Sequence, residues 1–127
     1  MVKTLIKILI VAVVLNLIYE LLHSRLYKTC LEASFKKYWF LMIKACIFDG
    51  IAITIIYYFS QLFPDYLKLI IFSVATLAFA YFWELHSIKK GKWEYSKNMP
   101  VVFGVGVTPL FQLFLTGMVV LYICKAF

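Results

Sequence analysis

Residues 4–22 read TLIKILIVAVVLNLIYELL, and this stretch decides what kind of fold the chain can adopt. A helix needs about 20 mostly apolar residues to cross the hydrocarbon core of a bilayer, and this run has that length. The residues that follow, His23, Ser24 and Arg25, do not form the small-residue cleavage site of a secretory signal peptide. We therefore expect a retained transmembrane helix.

Comparable apolar runs recur along the rest of the chain. The predicted spans cover residues 4–22, 38–63, 66–85 and 101–124. Each span is expected to be helical, because backbone groups in lipid must be satisfied within their own segment, and four strands are too few to close a barrel. We predict a single all-α domain over residues 1–127, an integral membrane bundle of four transmembrane helices.

The composition excludes a soluble domain. Hydrophobic residues make up 65% of the chain and charged residues 15%. Soluble domains are about half apolar and about a quarter charged. A small soluble domain leaves much of its surface exposed, so it could not hide this much apolar surface from water.

The positive charge follows the predicted topology. Lys and Arg residues cluster in the loops at residues 23–37 and 87–99, which lie on the same side of the bundle. The positive-inside rule places that side in the cytoplasm, so both termini are expected on the non-cytoplasmic side. The net charge of +7 is therefore a topology signal. It predicts anionic lipid headgroups as partners of the basic loops, and no nucleic acid.

The first of these loops is predicted to contain a short helix. Apolar residues recur at helical spacing between Leu26 and Phe35, while Lys28, Glu32 and Lys36 fall on another face. This pattern is typical of an interfacial helix that lies on the membrane surface.

Ionisable side chains inside the spans are the first candidates for a functional site, because they are costly in a membrane and usually face the bundle interior. Asn16, Glu20 and His23 follow i, i+4, i+7 spacing and share one face of the first helix. Asp49 lies near the middle of the second span, and Glu84 lies near the cytoplasmic end of the third. We expect these side chains to share a polar pocket that opens to the cytoplasm.

The fourth span adds a further polar stripe, since Thr108, Gln112 and Thr116 repeat every four residues. The predicted catalytic residues are Asp49, Glu20, Glu84 and His23. The predicted substrate-binding residues are Asn16, Gln112, Thr108, Trp93 and Tyr95. Amides and hydroxyls of this kind also hold membrane helices together without a catalytic role.

Carboxylate and imidazole groups in one cavity would suit a divalent metal ion. The candidate ligands are Glu20, His23, Asp49, Glu84 and His86. His86 is two residues from Glu84, however, and that spacing points the two side chains to different sides of a helix. The same groups would equally suit acid–base chemistry or a proton path.

The fourth predicted span contains Gly104, Gly106 and Pro109. A proline inside a helix removes one hydrogen bond and is expected to kink it, which would free the Val105 carbonyl. Such a break can bind an ion or a substrate headgroup, or it can serve as a packing notch.

These motifs resemble those of a family of small bacterial four-span integral membrane proteins, with the pattern Asn-x-x-Tyr-Glu, Trp-x-Tyr, Met-Pro and Gly-x-Gly-x-x-Pro-x-x-Gln. The matching residues are Asn16, Tyr19, Glu20, Leu26, Tyr27, Asp49, Gly50, Glu84, Trp93, Tyr95, Met99, Pro100, Gly104, Gly106, Pro109 and Gln112. The resemblance covers most of the chain. It implies the fold and this choice of residues, and no known activity. We therefore expect a multi-pass protein of the bacterial inner membrane.

Three functions are compatible with the sequence. The chain is a membrane-embedded enzyme acting on a lipid-like substrate, a small transporter or proton- or ion-coupled carrier that works as a homo-oligomer, or a structural or accessory membrane subunit. The clustering of acids and histidines at matched depths favours a binding or catalytic pocket.

Overall fold

Four long helices form the bundle in the computed structural model, which describes residues 1–126. They are α1 (Val2–His23), α3 (Phe35–Ser60), α4 (Asp65–Lys89) and α5 (Val107–Cys124). Each is long and apolar enough to cross a membrane. The predicted set of four membrane-spanning helices is therefore confirmed, and it indicates a multi-pass membrane protein.

The helix ends differ from the predicted spans where local capping decides them. Helix α3 begins at Phe35 because the hydroxyl of Ser34 accepts a hydrogen bond from the Lys37 backbone N–H at 3.3 Å. Such an N-cap satisfies a donor that the first helical turn leaves free. Helix α4 continues to Lys89, so His86 and Ser87 are helical.

The predicted start of the fourth span, at residue 101, is wrong. Residues Val101–Val102 (β1) and Val105–Gly106 (β2) form a small antiparallel hairpin, and α5 begins only at Val107. The hairpin turn holds Phe103 and Gly104 at positive φ values of 51° and 84°. Pro109 therefore lies in the first turn of α5, where its missing N–H would be unpaired anyway. The predicted kink at this proline does not occur.

The loop between α1 and α3 contains two short helical segments instead of one continuous helix. It contains a 3₁₀ turn (Ser24–Leu26) and one helical turn, α2 (Lys28–Leu31), separated by an extended Tyr27. Tyr27 pairs with Tyr95 of the second basic loop, and the Lys28 N–H donates to the Glu94 carbonyl at 2.8 Å. The two basic loops are thus joined to each other, while the position of α2 at a membrane surface stays a prediction.

The helices pack in the cyclic order α1, α3, α4, α5. One half of the bundle is apolar and is filled by residues such as Ile8, Ile53, Phe72 and Val120, each at most 1% exposed. Gly50 lets α1 and α3 approach closely, since a Cβ atom built there would lie 2.5 Å from Val13 Cγ2. The buried polar residues Asn16, Glu20, Glu84 and Gln112 lie in the other half, next to the basic loops.

Candidate functional site

The side-chain amide of Gln112 lies at the centre of the polar half of the bundle. Its Nε2 atom is 3.1 Å from Asn16 Oδ1, 2.9 Å from Glu20 Oε1 and 2.9 Å from Asp49 Oδ2. An amide nitrogen has two hydrogens, so the three acceptors share them. One side chain of α5 therefore holds groups from α1 and α3 together.

Asn16 and Thr116 complete this cluster. Asn16 donates to the Ala12 carbonyl at 2.8 Å, and it is fully buried. The Thr116 hydroxyl lies 2.7 Å from the Gln112 carbonyl and 3.2 Å from Asn16 Oδ1. Buried polar groups are costly unless hydrogen-bonded, so these contacts remove the cost of placing amides in the span.

His23 is bonded at both ring nitrogens. Nε2 lies 3.0 Å from Glu20 Oε2, and Nδ1 lies 3.0 Å from Thr108 Oγ1. An ionised carboxylate only accepts hydrogen bonds, which assigns the ring hydrogen of a neutral His23 to Nε2. Nδ1 then accepts from the Thr108 hydroxyl. Tyr19 supports the arrangement by donating to the Thr108 carbonyl at 2.6 Å.

Glu84 is the centre of a second cluster, at the base of the two loops. Its Oε1 atom accepts from the hydroxyls of Tyr27 and Tyr95, both at 2.8 Å, and from Trp93 Nε1 at 3.0 Å. Three donors on one oxygen are the arrangement that stabilises an ionised carboxylate. Tyr95 also accepts a hydrogen bond from the Gly106 N–H at 2.8 Å, which extends the cluster to β2.

Both tyrosine hydroxyls of this cluster keep their protons at neutral pH. Burial raises the pKa of Tyr27 well above its usual value, and the neighbouring Glu84 carboxylate raises it further. The pKa of Tyr95 is also raised, mainly by burial and in part by Glu84. A protonated hydroxyl can donate to Glu84, which explains how the carboxylate fastens both loops to α4.

The two clusters meet at the ring of Tyr27. Its ring lies edge-on to His23, with centroids 5.4 Å apart, while its hydroxyl is bonded to Glu84. The structure thus brings six of the predicted site residues into one network: Asn16, Glu20, His23, Asp49, Thr108 and Gln112. Glu84, Trp93 and Tyr95 form the neighbouring cluster. Within each cluster the polar atoms bond directly to one another. A pocket that opens to the cytoplasm therefore stays a prediction.

Tyr27 is the site residue to which sequence reasoning gave no polar role. The helical spacing predicted it on the apolar face of an interfacial helix, and the family resemblance included it without a role. The signal was present, because Asn16, Glu20, His23 and Tyr27 continue one i, i+4, i+7, i+11 stripe. The stripe continues past the end of α1 because the extended Tyr27 keeps its ring against His23.

The predicted metal ligands are not assembled as a group. His86 is exposed, and its ring lies against Trp83 with centroids 6.0 Å apart, outside both clusters. Within residues 1–126, no three or more His, Cys, Asp or Glu side chains are arranged to hold a metal ion. The two carboxylates nearest each other are instead bonded to the Gln112 amide.

Comparison with known proteins adds no relative. No protein-family model matches the chain, and neither the curated proteins nor the solved structures contain a match.

Proposed function

We propose that the chain is a membrane-embedded enzyme that carries out acid–base chemistry on a lipid-like substrate, with Asp49 as the group that exchanges the proton. The observation that carries the proposal is the position of Gln112 Nε2, which lies 2.9 Å from a carboxylate oxygen of both Glu20 and Asp49. Two carboxyl groups so close together are most stable when they hold one proton between them.

The surroundings of the pair assign that proton to Asp49. Glu20 faces the His23 imidazole at 3.0 Å, which favours the charged form of Glu20. Among residues 1–126, no cation lies within ion-pair distance of Asp49. Different surroundings for two neighbouring carboxyls are the usual basis for separate acid and base roles. Asp49 is then the acid, and the Glu20–His23 pair accepts a proton and passes it to Asp49, which restores the protonated form.

Asp49 is also the member of the cluster that a substrate can reach. Asn16, Glu20 and Gln112 are buried, whereas Asp49 is partly exposed at the surface of α3. In a membrane, that surface faces lipid chains or other apolar molecules. The adjacent Phe48 stacks on Trp83 of α4 with centroids 4.7 Å apart. Stacked aromatic rings beside a polar group favour an apolar substrate with a polar centre.

The other polar residues position the reacting groups in this proposal. Gln112 orients the carboxyls and Asn16 holds Gln112, while the Thr108 hydroxyl bonds to Nδ1 of His23. Trp93 and Tyr95 hold the basic loops on Glu84. The excess of Lys and Arg in those loops supports an orientation with this end of the bundle in the cytoplasm of a bacterial cell and both termini on the other side of the inner membrane.

Mass spectrometry of total lipids tests the proposal. Cells producing the wild-type chain should lose one lipid species and gain another, relative to cells without it. The Asp49→Asn variant should produce no such change, whereas Asp65→Asn, which alters a carboxyl at the far end of α4, should behave like the wild type. A folded Asp49→Asn protein that still changes the lipids contradicts the role of Asp49.

A second function, a proton-coupled carrier, is favoured by one further observation. Titratable groups follow each other from the loops into the span, in the order Glu84, Tyr27, His23, Glu20 and Asp49. Such a chain is typical of proton paths in membranes. Four spans are few for a carrier, so this function requires a homo-oligomer. Proteoliposomes that contain wild-type protein and a trapped pH dye should then acidify inside under a proton gradient. Proteoliposomes with Asp49→Asn should not acidify.

A further inference from the structure

A separate surface pocket lies where α1 ends, on the side of the basic loops. Its volume is about 210 Å³, and it is bounded by the end of α1, the 3₁₀ turn, α2 and the start of α3. The lining residues are Leu21, Ser24, Arg25, Cys30, Leu31 and Tyr38. None of them belongs to the two clusters described above.

One wall of this pocket is polar and positively charged. The Ser24 hydroxyl donates to the Leu21 carbonyl at 3.0 Å, so the hydrogen bond of 2.8 Å between Ser24 and Tyr38 is donated by Tyr38. Arg25 is exposed and lines the same pocket as Ser24 and Tyr38. It has no carboxylate partner within residues 1–126, where the ion pairs are His23–Glu20, Lys28–Glu94 and Lys68–Asp65.

The other lining residues carry no charge and are mostly apolar. They are Leu21, Leu31 and Cys30. Burial, with a smaller effect of the Glu20 charge, raises the pKa of Cys30 to about 11, so the thiol is neutral at physiological pH. Beside the pocket, Leu22 is 75% exposed and Phe35 is 81% exposed. Large exposed apolar side chains around one cation are typical of the boundary between hydrocarbon and headgroups.

We propose that this pocket binds the phosphate group of one anionic phospholipid, with Arg25 as the charged contact and Leu21 and Leu31 against the first part of an acyl chain. A guanidinium matches a phosphate through paired hydrogen bonds. The volume of about 210 Å³ is smaller than the roughly 300–1,000 Å³ of pockets that enclose a whole drug-sized ligand. It fits a headgroup whose chains stay in the bilayer. This proposal does not depend on the enzyme proposal.

A neighbouring pocket supplies the matched control. It has a volume of about 270 Å³ and is lined by Lys28, Thr29, Glu32, Lys37 and Glu94. Its two carboxylates oppose an anion, and one of them, Glu94, already pairs with Lys28 at 3.7 Å. Lys37→Gln therefore removes one positive charge from the nearby first turn of α3 without touching the proposed phosphate contact.

Native mass spectrometry of the full chain in detergent, titrated with phosphatidylglycerol, measures the binding. Arg25→Gln should weaken the first bound lipid about tenfold, the loss expected for one charge-assisted hydrogen bond. Lys37→Gln should change it less than about twofold, because an exposed charge contributes little. Arg25→Lys, which keeps the charge and removes the paired hydrogen bonds of the guanidinium, should weaken binding by a few-fold and provides a second test if Arg25→Gln does not fold.

The same titration separates the sources of phosphate. Phosphatidylcholine should bind at least about fivefold more weakly than phosphatidylglycerol, because its ammonium group offsets the phosphate charge. Inorganic phosphate should not displace the lipid, since it makes no contact with Leu21 or Leu31. The proposal is overturned by equal loss of binding in Arg25→Gln and Lys37→Gln, by no loss in Arg25→Gln and Arg25→Lys, or by displacement of the lipid by inorganic phosphate.

Discussion

Gln112 and Asp49 are joined by a hydrogen bond of 2.9 Å, from Nε2 on α5 to Oδ2 on α3. The two helices lie diagonally across the bundle and contact each other less than either contacts α1 or α4. The same nitrogen also reaches Glu20 on α1 at 2.9 Å. One amide therefore fixes three helices around the proposed proton-exchanging carboxyl.

Removal of the Gln112 amide is expected to destabilise the bundle. Gln112→Ala leaves the acceptors on Asn16, Glu20 and Asp49 without their shared donor. The expected loss is about 1–3 kcal/mol in the free energy of unfolding, since a buried unsatisfied acceptor costs about that much. Thermal unfolding in detergent measures it. Ser73→Ala is the control, because the exposed Ser73 hydroxyl donates only within its own helix, to Leu69 at 2.8 Å.

An unchanged unfolding temperature in Gln112→Ala would show that the hydrogen bonds at Nε2 contribute nothing to stability. If Gln112→Ala is less stable, and neither the wild type nor Asp49→Asn changes the lipid composition of the cells, the structural or accessory role is favoured over the enzyme. The two measurements together therefore separate the function of the cluster from its contribution to the fold.

Loss of the Glu84 charge is expected to loosen the basic loops while leaving the spans in place. Glu84→Gln weakens three hydrogen bonds, from Tyr27, Trp93 and Tyr95. Bonds to a charged group contribute about 1.5–3 kcal/mol, so amide hydrogen exchange in residues 90–100 should accelerate at least about tenfold. Glu94→Gln, which alters an exposed carboxylate that pairs with Lys28 at 3.7 Å, should accelerate it far less. Equal exchange in both variants contradicts the role given to Glu84.

The sequence predicted what depends on periodicity and failed where tertiary contacts decide. Apolar runs of spanning length predicted the four helices, and the spacing of Asn16, Glu20 and His23 predicted that they share a face. The sequence did not reveal that α5 begins after a hairpin, because Val101–Gly106 is as apolar as the helix that follows. Depth along the helices also placed Glu84 with Glu20 and His23, although it belongs to a separate cluster, because depth cannot distinguish two clusters at similar levels. The two-residue spacing did predict that His86 and Glu84 point to different sides, and the exposed ring of His86 lies against Trp83.

Cys30 is expected to react slowly with alkylating reagents. Its pKa of about 11 leaves little thiolate at pH 7.5, so carboxymethylation by iodoacetate should be about two orders of magnitude slower than for a free thiol. The rate should rise about tenfold per pH unit until about pH 11, because the reactive thiolate increases in that proportion. Mass spectrometry of the Cys30 peptide follows the reaction, with urea-unfolded protein as the control. A rate that levels off near pH 8.5 would show an ordinary thiol.

A methyl group at Gly50 is expected to force α1 and α3 apart. The added Cβ atom of Gly50→Ala would lie 2.5 Å from Val13 Cγ2 and 3.2 Å from the Val13 backbone nitrogen. Overpacking of this kind costs about 1–3 kcal/mol, and it would also displace the neighbouring Asp49 from Gln112. Both the unfolding temperature and the proposed lipid change should fall. Val13→Ala alone is destabilising, but it removes the closer of the two clashing atoms. The double variant Gly50→Ala/Val13→Ala should therefore recover part of the stability that Gly50→Ala loses. If the two losses simply add, the helices do not approach at Gly50 as described.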